Sequence, residues 1–229
     1  MTHPTVCLRA RLGSALVLGL IAGCATAEPP TTAELYRRVA LSAVVVRADS
    51  NTGSGTVVAS EPGVLLVLTA HHVVAAAPNM LRVLLADPAV SGEGEAQARV
   101  IASDEDHDLA LLVVRTNIAR PPLPVAEGEP ALYEALYSVA APMGLGGTAA
   151  PALLTSKSVR RGDVDLWEVT GFVFFGTSGG TIANARGELV AVPVVIATFG
   201  PIPVPSVGFC VPLHSIRQFL ARAVPELDL

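Results

Sequence analysis

The sequence predicts an all-β protein that ends in one short helix, and three observations support this. Twelve short runs rich in Val, Leu, Ile and Ala recur between residues 43 and 211 with turn residues between them, a pattern typical of β-sandwiches and barrels. These runs form two sets of six, separated by the loop-rich stretch around residues 120–130. Only Ser215–Val224 shows apolar residues recurring every three or four positions, as on one face of a helix.

The strand candidates are bounded by Gly, Pro, Asn and Asp, which favour turns. In order they are Ala43–Arg47, Gly55–Ala59, Val64–Thr69, Leu81–Ala86, Ala96–Ser103, Leu109–Arg115, Ala135–Ala141, Leu153–Arg160, Leu166–Gly171, Thr181–Asn184, Glu188–Ala197 and Val207–Val211. At the C-terminal helix, Ser215 is the expected N-cap and Pro225 the expected stop signal.

Composition and charge exclude several classes of protein. Hydrophobic residues make up 51% of the 229 residues and charged residues 15%, which excludes intrinsic disorder. The formal net charge of −5 gives no basic footprint for nucleic acid. After residue 30, no apolar run reaches the roughly 20 residues needed to span a bilayer.

The N-terminus has the features of a secretory signal. Arg9 and Arg11 precede the apolar run from Leu12 to Gly23, as in the charged and apolar regions of a signal peptide. The segment Ile21-Ala22-Gly23-Cys24 resembles the bacterial lipobox, which implies lipidation of Cys24. The alternative is an ordinary signal peptide cut near Ala25 or Ala27.

These signals give an expected domain organisation. We expect residues 1–23 to be a removed signal, 24–36 a flexible leader and 37–229 one folded domain. The exported chain then carries 13 basic and 20 acidic residues, and it is attached to the membrane if Cys24 is lipidated.

Cysteine and histidine spacing give no sign of a disulfide or a metal. Beyond the signal region only Cys210 remains, so no internal disulfide can form. Neither a CxxC nor an HExxH spacing occurs, and we therefore expect no metal site and no cofactor.

Three segments carry residues suited to nucleophilic catalysis. A strand runs into His71 and His72, acidic residues ending at Asp108 precede another apolar run, and Ser178 lies in a glycine-rich turn. Each segment alone is weak evidence, because such residues usually cap or line ordinary turns. Together they supply a base, an orienting carboxylate and a hydroxyl nucleophile, in the chain order of the chymotrypsin triad.

The same segments carry a resemblance to a known family. The chain resembles trypsin-like (chymotrypsin-fold) serine proteases and is most similar to the protease domain of the bacterial HtrA/Deg branch, without the PDZ domain that usually follows. The motifs are Gly53-Ser-Gly-Thr-Val-Val, Leu68-Thr-Ala-His-His-Val-Val, Asp108-Leu-Ala-Leu-Leu, Gly176-Thr-Ser-Gly-Gly and Gly208-Phe-Cys-Val-Pro. They extend over the whole domain.

The resemblance implies a fold and a set of site residues. The fold is two six-stranded antiparallel β-barrels with a short C-terminal helix. His72 takes the position of the base, since the family pattern is Thr-x-x-His, with Asp108 as the triad acid and Ser178 as the nucleophile. The amides of Gly176 and Ser178 would form the oxyanion hole. The residues expected to line the substrate pocket are all uncharged: Phe172, Phe175, Gly208, Phe209 and Cys210.

The implied function is that of an exported serine endopeptidase in the bacterial cell envelope, acting on protein or peptide substrates through an acyl-enzyme. Two departures from the family pattern leave an alternative open. Thr177 stands where the family usually has Asn or Asp, and Thr181 where it often has Pro. A catalytically silent domain that serves as an envelope binding module would tolerate both.

Two other interpretations fit less well. Gly176-Thr-Ser-Gly-Gly also fits the nucleophile elbow of α/β-hydrolases, but that fold requires the order Ser, Asp or Glu, His. The only histidine after Ser178 is His214, and no alternation of strands and helices exists. A purely structural lipoprotein would explain the export signal but not the three segments.

Overall fold

The computed structural model describes residues 31–87, 90–140, 148–171, 175–199 and 202–226. Within these residues, twelve strands and three helices follow one another along the chain. They are α1 (Thr32–Ser42), β1 (Ala43–Ala48), β2 (Asn51–Glu61), β3 (Val64–Ala70), α2 (His71–Val74), β4 (Leu81–Asp87), β5 (Val90–Asp104), β6 (Leu109–Arg115), β7 (Ala135–Ala140), β8 (Thr148–Arg161), β9 (Val164–Gly171), β10 (Thr181–Ala183), β11 (Leu189–Phe199), β12 (Ile202–Pro212) and α3 (Leu213–Ala223).

The strands form two closed antiparallel barrels, which confirms the predicted fold. The first has the order β1-β2-β3-β6-β5-β4 and the second the order β10-β11-β12-β9-β8-β7. Closure leaves no unpaired edge among the described strands. The Val- and Leu-rich runs suit this architecture because branched side chains pack well on a pleated surface.

The two barrels share one apolar core. A single buried cluster contains Val67 and Leu111 from the first barrel and Val192 and Val211 from the second. A separate cluster around Trp167 fills the second barrel alone. Burial of apolar surface contributes about 25 cal/mol per Å² to stability. Separating the barrels would expose the shared cluster to water, so this cluster holds them together.

Helix α1 was not predicted, and it corrects the expected leader. Residues 32–36, assigned to a flexible leader, form the first half of this helix. Thr31 and Glu34 make a reciprocal capping box at its N-terminus. Leu35 and Val39 are buried in the shared core. Docking against the barrels stabilises this helix, because a helix of 11 residues is marginal on its own in water.

The remaining corrections concern the ends of elements. Strands β5, β8 and β12 begin five or six residues earlier than predicted, because pairing with a neighbouring strand extends a hairpin through Gly, Pro and polar residues. Helix α3 begins at Leu213 after an N-cap at Pro212, so Ser215 is not the N-cap and lies buried in the first turn. The helix ends before Pro225, as predicted.

The predicted signal and Cys24 lie outside the described residues. Of the three helices in the described ranges, none combines the length and the apolar character needed to cross a bilayer.

Candidate active site

His72 and Asp108 meet at one end of two neighbouring strands. The register of β3 and β6 pairs Ala70 with Leu109, so the residues just after β3 lie beside the residue just before β6. The first link is the His71 N–H, which donates to the Asp108 carbonyl at 3.1 Å. Helix α2 then turns the His72 side chain towards the Asp108 carboxylate.

Both carboxylate oxygens of Asp108 bind His72. Oδ1 accepts a hydrogen bond from the His72 backbone N–H at 2.8 Å, and Oδ2 lies 2.7 Å from His72 Nδ1. A carboxylate at that distance assigns the proton to Nδ1, which leaves Nε2 as an acceptor. The His72 side chain is 47% exposed, so its ring can be reached from solvent.

His71 does not share this arrangement. Its ring atom Nδ1 is buried and has no hydrogen-bond partner among the described residues, and its contact with Asp108 is made through the backbone. Of the two adjacent histidines, His72 is therefore the one whose ring is oriented by a carboxylate.

Asp108 has a left-handed backbone conformation that a tight turn maintains. Its φ is +54°, which Asp tolerates better than most residues. In the same turn, Asp104 accepts hydrogen bonds from the His107 backbone N–H at 3.0 Å and from Arg222 of α3 at 2.6 Å, and it lies 3.1 Å from His107 Nδ1. Asp104 thus connects this turn, which contains Asp108, with the C-terminal helix α3.

The charge of Asp104 is stabilised in this setting. Burial by itself would raise the pKa of Asp104, but the hydrogen bonds from His107 and the charges of His107 and Arg222 outweigh it and hold the pKa below its ordinary value.

Ser178 lies in the turn before β10, against the end of β3. The turn closes with a hydrogen bond from the Gly180 N–H to the Thr177 carbonyl at 2.9 Å, and the Gly179 N–H donates to the Pro193 carbonyl at 2.8 Å. Gly179 has φ +81°, and a Cβ there would lie 2.7 Å from the amide nitrogen of Ala70. Only glycine therefore allows Ser178 to approach the histidine segment this closely.

Ser54 of β2 connects the serine turn to the first barrel, and sequence reasoning did not identify it. Its N–H donates to the Ser178 carbonyl at 2.8 Å, and its Oγ donates to the Gly176 carbonyl at 2.6 Å. Its own carbonyl accepts from Thr69 Oγ1 at 2.7 Å. The motif Gly53-Ser-Gly is visible in the sequence, but it does not indicate which group the Ser54 hydroxyl contacts.

Within the described ranges, the two predicted oxyanion amides are not engaged in hydrogen bonds. No hydrogen bond to another described residue involves the amide N–H of Gly176 or of Ser178. Within the described part of the chain, Ser178 Oγ likewise makes no hydrogen bond to His72. Nucleophile–base hydrogen bonds are often long without substrate, so the arrangement is compatible with a triad.

The structure describes four of the five residues predicted to line the substrate pocket. Phe172 lies outside the described residues. Phe175 is 61% exposed, whereas Phe209 is half-buried and Gly208 is buried. Cys210 is wrong as a pocket-lining side chain, because its thiol is fully buried beside Trp167 in the second-barrel core. That burial raises the pKa of the Cys210 thiol far above its ordinary value and disfavours the reactive thiolate form.

The two departures from the family pattern are both buried. Thr177 is almost fully buried, and the Thr181 hydroxyl shares a buried hydrogen bond with Thr56 of the first barrel, 2.5 Å between the oxygens.

No group of three His, Cys, Asp or Glu side chains suited to a metal occurs in the described ranges.

Comparison with protein families gives a match to the trypsin-like peptidase domain over residues 53–192. Among proteins of known sequence, the chain is 28% identical over 198 residues to the serine protease HTRA1 of Xenopus tropicalis, covering 83% of this chain and 39% of that protein. It is 24% identical over 193 residues to the serine protease Do-like HtrA of Lactococcus lactis, covering 76% and 45%. The chain thus spans less than half the length of these relatives.

Solved structures share the fold. The inactive form of the Rv3671c protease of M. tuberculosis superposes with a TM-score of 0.65 at 24% identity, covering 83% of this chain and 92% of that one. The serine endoprotease from Yersinia pestis gives a TM-score of 0.67 at 22% identity, covering 86% and 68%.

The ion pair at Asp104 predicts a pH-dependent contribution to stability. Because the native pKa lies below that of the unfolded chain, the carboxylate stabilises the fold above the ordinary carboxyl range, and this is lost as pH falls through the native pKa. We expect Asp104→Asn to lower the free energy of unfolding by about 1–3 kcal/mol at pH 7. The difference from wild type should shrink below about pH 4.

Urea unfolding at several pH values measures this. Glu105→Gln is the matched control, because Glu105 is an exposed acid in the same turn whose removal changes the charge without breaking these contacts. A deficit of Asp104→Asn that stays constant down to pH 2 would contradict the assignment.

Proposed function

Since this chain belongs to the family of trypsin-like peptidase domains, we propose that it is a serine endopeptidase that cleaves protein or peptide substrates with His72, Asp108 and Ser178. The observation that carries the proposal is the pair of hydrogen bonds from His72 to the Asp108 carboxylate. They orient one ring beside a turn that presents a serine. The names of the HtrA serine protease relatives support the same reaction class.

The geometry supports a two-step reaction. Ser178 Oγ attacks the substrate carbonyl carbon while His72 Nε2 takes the hydroxyl proton, and the resulting imidazolium is stabilised by Asp108. The tetrahedral intermediate collapses to an acyl-enzyme as His72 gives that proton to the departing amine. Water then attacks the ester by the same route, which releases the acid and restores the Ser178 hydroxyl.

The amides of Gly176 and Ser178 are the proposed oxyanion donors. Both lack a partner among the described residues, as donors must if they are to bind a charge that appears only during the reaction. One such donor contributes about 10²- to 10³-fold to kcat in known serine proteases.

A catalytically silent binding module is the less favoured function. The departures that suggested it, Thr177 and Thr181, are buried and leave the His72–Asp108 pair intact. A binding module has no use for an oriented imidazole beside a serine turn.

The two adjacent histidines provide the sharpest test. His72→Ala should lower kcat/KM by about 10⁴-fold or more, because it removes the proton acceptor. His71→Ala should keep most of the activity, because the contact of His71 with Asp108 uses the backbone N–H, which alanine retains. Hydrolysis of a peptide library measures both, with urea unfolding to verify that each variant folds. Loss in His71→Ala with retention in His72→Ala would refute the assignment.

We further propose that the peptidase prefers an apolar residue before the scissile bond. In trypsin, preference for Lys or Arg comes from an Asp six residues before the nucleophile, and that position here is Phe172. Two further residues predicted to line the substrate pocket, Gly208 and Phe209, are also uncharged. Burying an unpaired ammonium costs several kcal/mol, so cleavage should follow Val, Ala or Leu. Peptide-library profiling that shows a dominant preference for Lys or Arg would disprove this.

We propose that the protein is exported and anchored through lipid on Cys24. The support is the sequence alone: Arg9 and Arg11, the apolar run and Ile21-Ala22-Gly23-Cys24. Metabolic labelling with a palmitate analogue should mark the wild type and not Cys24→Ser. If both stay unlabelled and soluble, an ordinary signal peptide is the correct interpretation.

A further inference from the structure

We propose that Ser54 is a positioning residue whose hydroxyl holds the oxyanion loop in its working conformation. The proposal rests on the peptidase function proposed above and adds a residue outside the triad. Ser54 belongs to β2 in the first barrel, whereas the loop that contains Gly176 and Ser178 belongs to the second.

Three polar groups of Ser54 link the histidine segment to the serine turn. Its carbonyl accepts from Thr69, three residues before His72. Its N–H donates to the Ser178 carbonyl and its Oγ to the Gly176 carbonyl. Ser54 is fully buried, where a hydrogen bond is strong and an unmade one is costly.

The two carbonyls held by Ser54 lie on either side of the Ser178 N–H, one of the two proposed oxyanion donors. The Gly176 carbonyl belongs to the peptide between Gly176 and Thr177. The Ser178 carbonyl belongs to the peptide between Ser178 and Gly179. Between them lies the peptide that carries the Ser178 N–H. Fixing the outer two planes therefore limits the direction in which this N–H points.

The Ser54 hydroxyl matters because Gly176 is easily rotated. Gly176 has φ +89°, and glycine, which lacks a Cβ, adopts positive and negative φ about equally readily. Glycine has no side chain that could restrict rotation of the peptide between Gly176 and Thr177. The orientation of this peptide therefore depends on hydrogen bonds from other residues. The 2.6 Å hydrogen bond from Ser54 Oγ is such a contact, and it comes from the barrel that also holds His72 and Asp108.

The preceding glycine lets Ser54 come this close. A Cβ on Gly53 would lie 2.6 Å from Val73 Cγ2 and 3.1 Å from the Ser178 carbonyl oxygen. The serine turn, the residue next to His72 and β2 therefore meet at Gly53, with room for no side chain. Ser54, the next residue, reaches the loop with its side chain.

The test compares Ser54→Ala with a control that breaks a similar contact elsewhere. Ser54→Ala removes the bond to Gly176 and keeps both backbone bonds. Thr56→Val is the control, because Thr56 lies on the same strand and also joins the two barrels through a buried hydroxyl, to Thr181. For each variant, kcat, KM and the inhibition constant of a peptide boronate are measured, the boronate being a mimic of the tetrahedral adduct.

We expect Ser54→Ala to lower kcat by about 10- to 100-fold, less than complete loss of an oxyanion donor. KM should stay within about threefold, since ground-state binding is unchanged. Affinity for the boronate should fall by the same factor as kcat/KM, whereas affinity for the uncharged peptide amide of the same sequence should not. Thr56→Val should lose stability and keep its kcat and boronate affinity.

The outcomes separate this proposal from the function on which it rests. An active wild type with unchanged kcat and boronate affinity in Ser54→Ala would overturn the role of Ser54 and leave the peptidase function intact. A folded wild type that neither hydrolyses peptides nor binds boronate would overturn both. If Ser54→Ala fails to fold, Ser54→Cys provides the test, because a thiol is a weaker donor of similar size. A folded Ser54→Cys with wild-type kcat would also overturn the proposal.

Discussion

The position of one barrel against the other decides whether the candidate site exists at all. His72 and Asp108 belong to the first barrel, whereas Ser178 belongs to the second. Side-chain packing across the shared core fixes the barrels coarsely. Buried hydrogen bonds from Ser54 then fix the serine turn of the second barrel against β2 of the first, since an unpaired buried polar group would cost about 1–3 kcal/mol. Proposed chemistry and fold thus depend on the same few contacts.

The strands could be predicted from sequence because each is a short apolar run between turn residues. This local signal is enough for β6, whose bounds were predicted without error. It fails where pairing sets the length of a strand, as in β5, β8 and β12. Helix α1 shows another limit. Its capping residues Thr31 and Glu34 are visible in the sequence, but its stability comes from burying Leu35 and Val39 on the barrels, which no local pattern reveals.

At the site, sequence order and motif identified the three triad candidates, and their roles stay predictions. The structure adds geometry: it pairs His72 rather than His71 with the carboxylate. Ser54 and Asp104 could not be predicted, because their importance lies in partners distant along the chain. The strand pattern itself places Cys210 away from the pocket. Neighbours in a strand face opposite sides, so Phe209 and Cys210 could not both face one pocket.

The central claim is that Ser178 is a nucleophile activated by His72, and covalent labelling tests it most directly. A fluorophosphonate probe added to the folded protein should form one adduct, which peptide mass spectrometry should locate at Ser178. Labelling should vanish in Ser178→Ala and become far slower in His72→Ala. A folded protein that resists the probe, or one labelled equally in the wild type and in Ser178→Ala, would contradict the account.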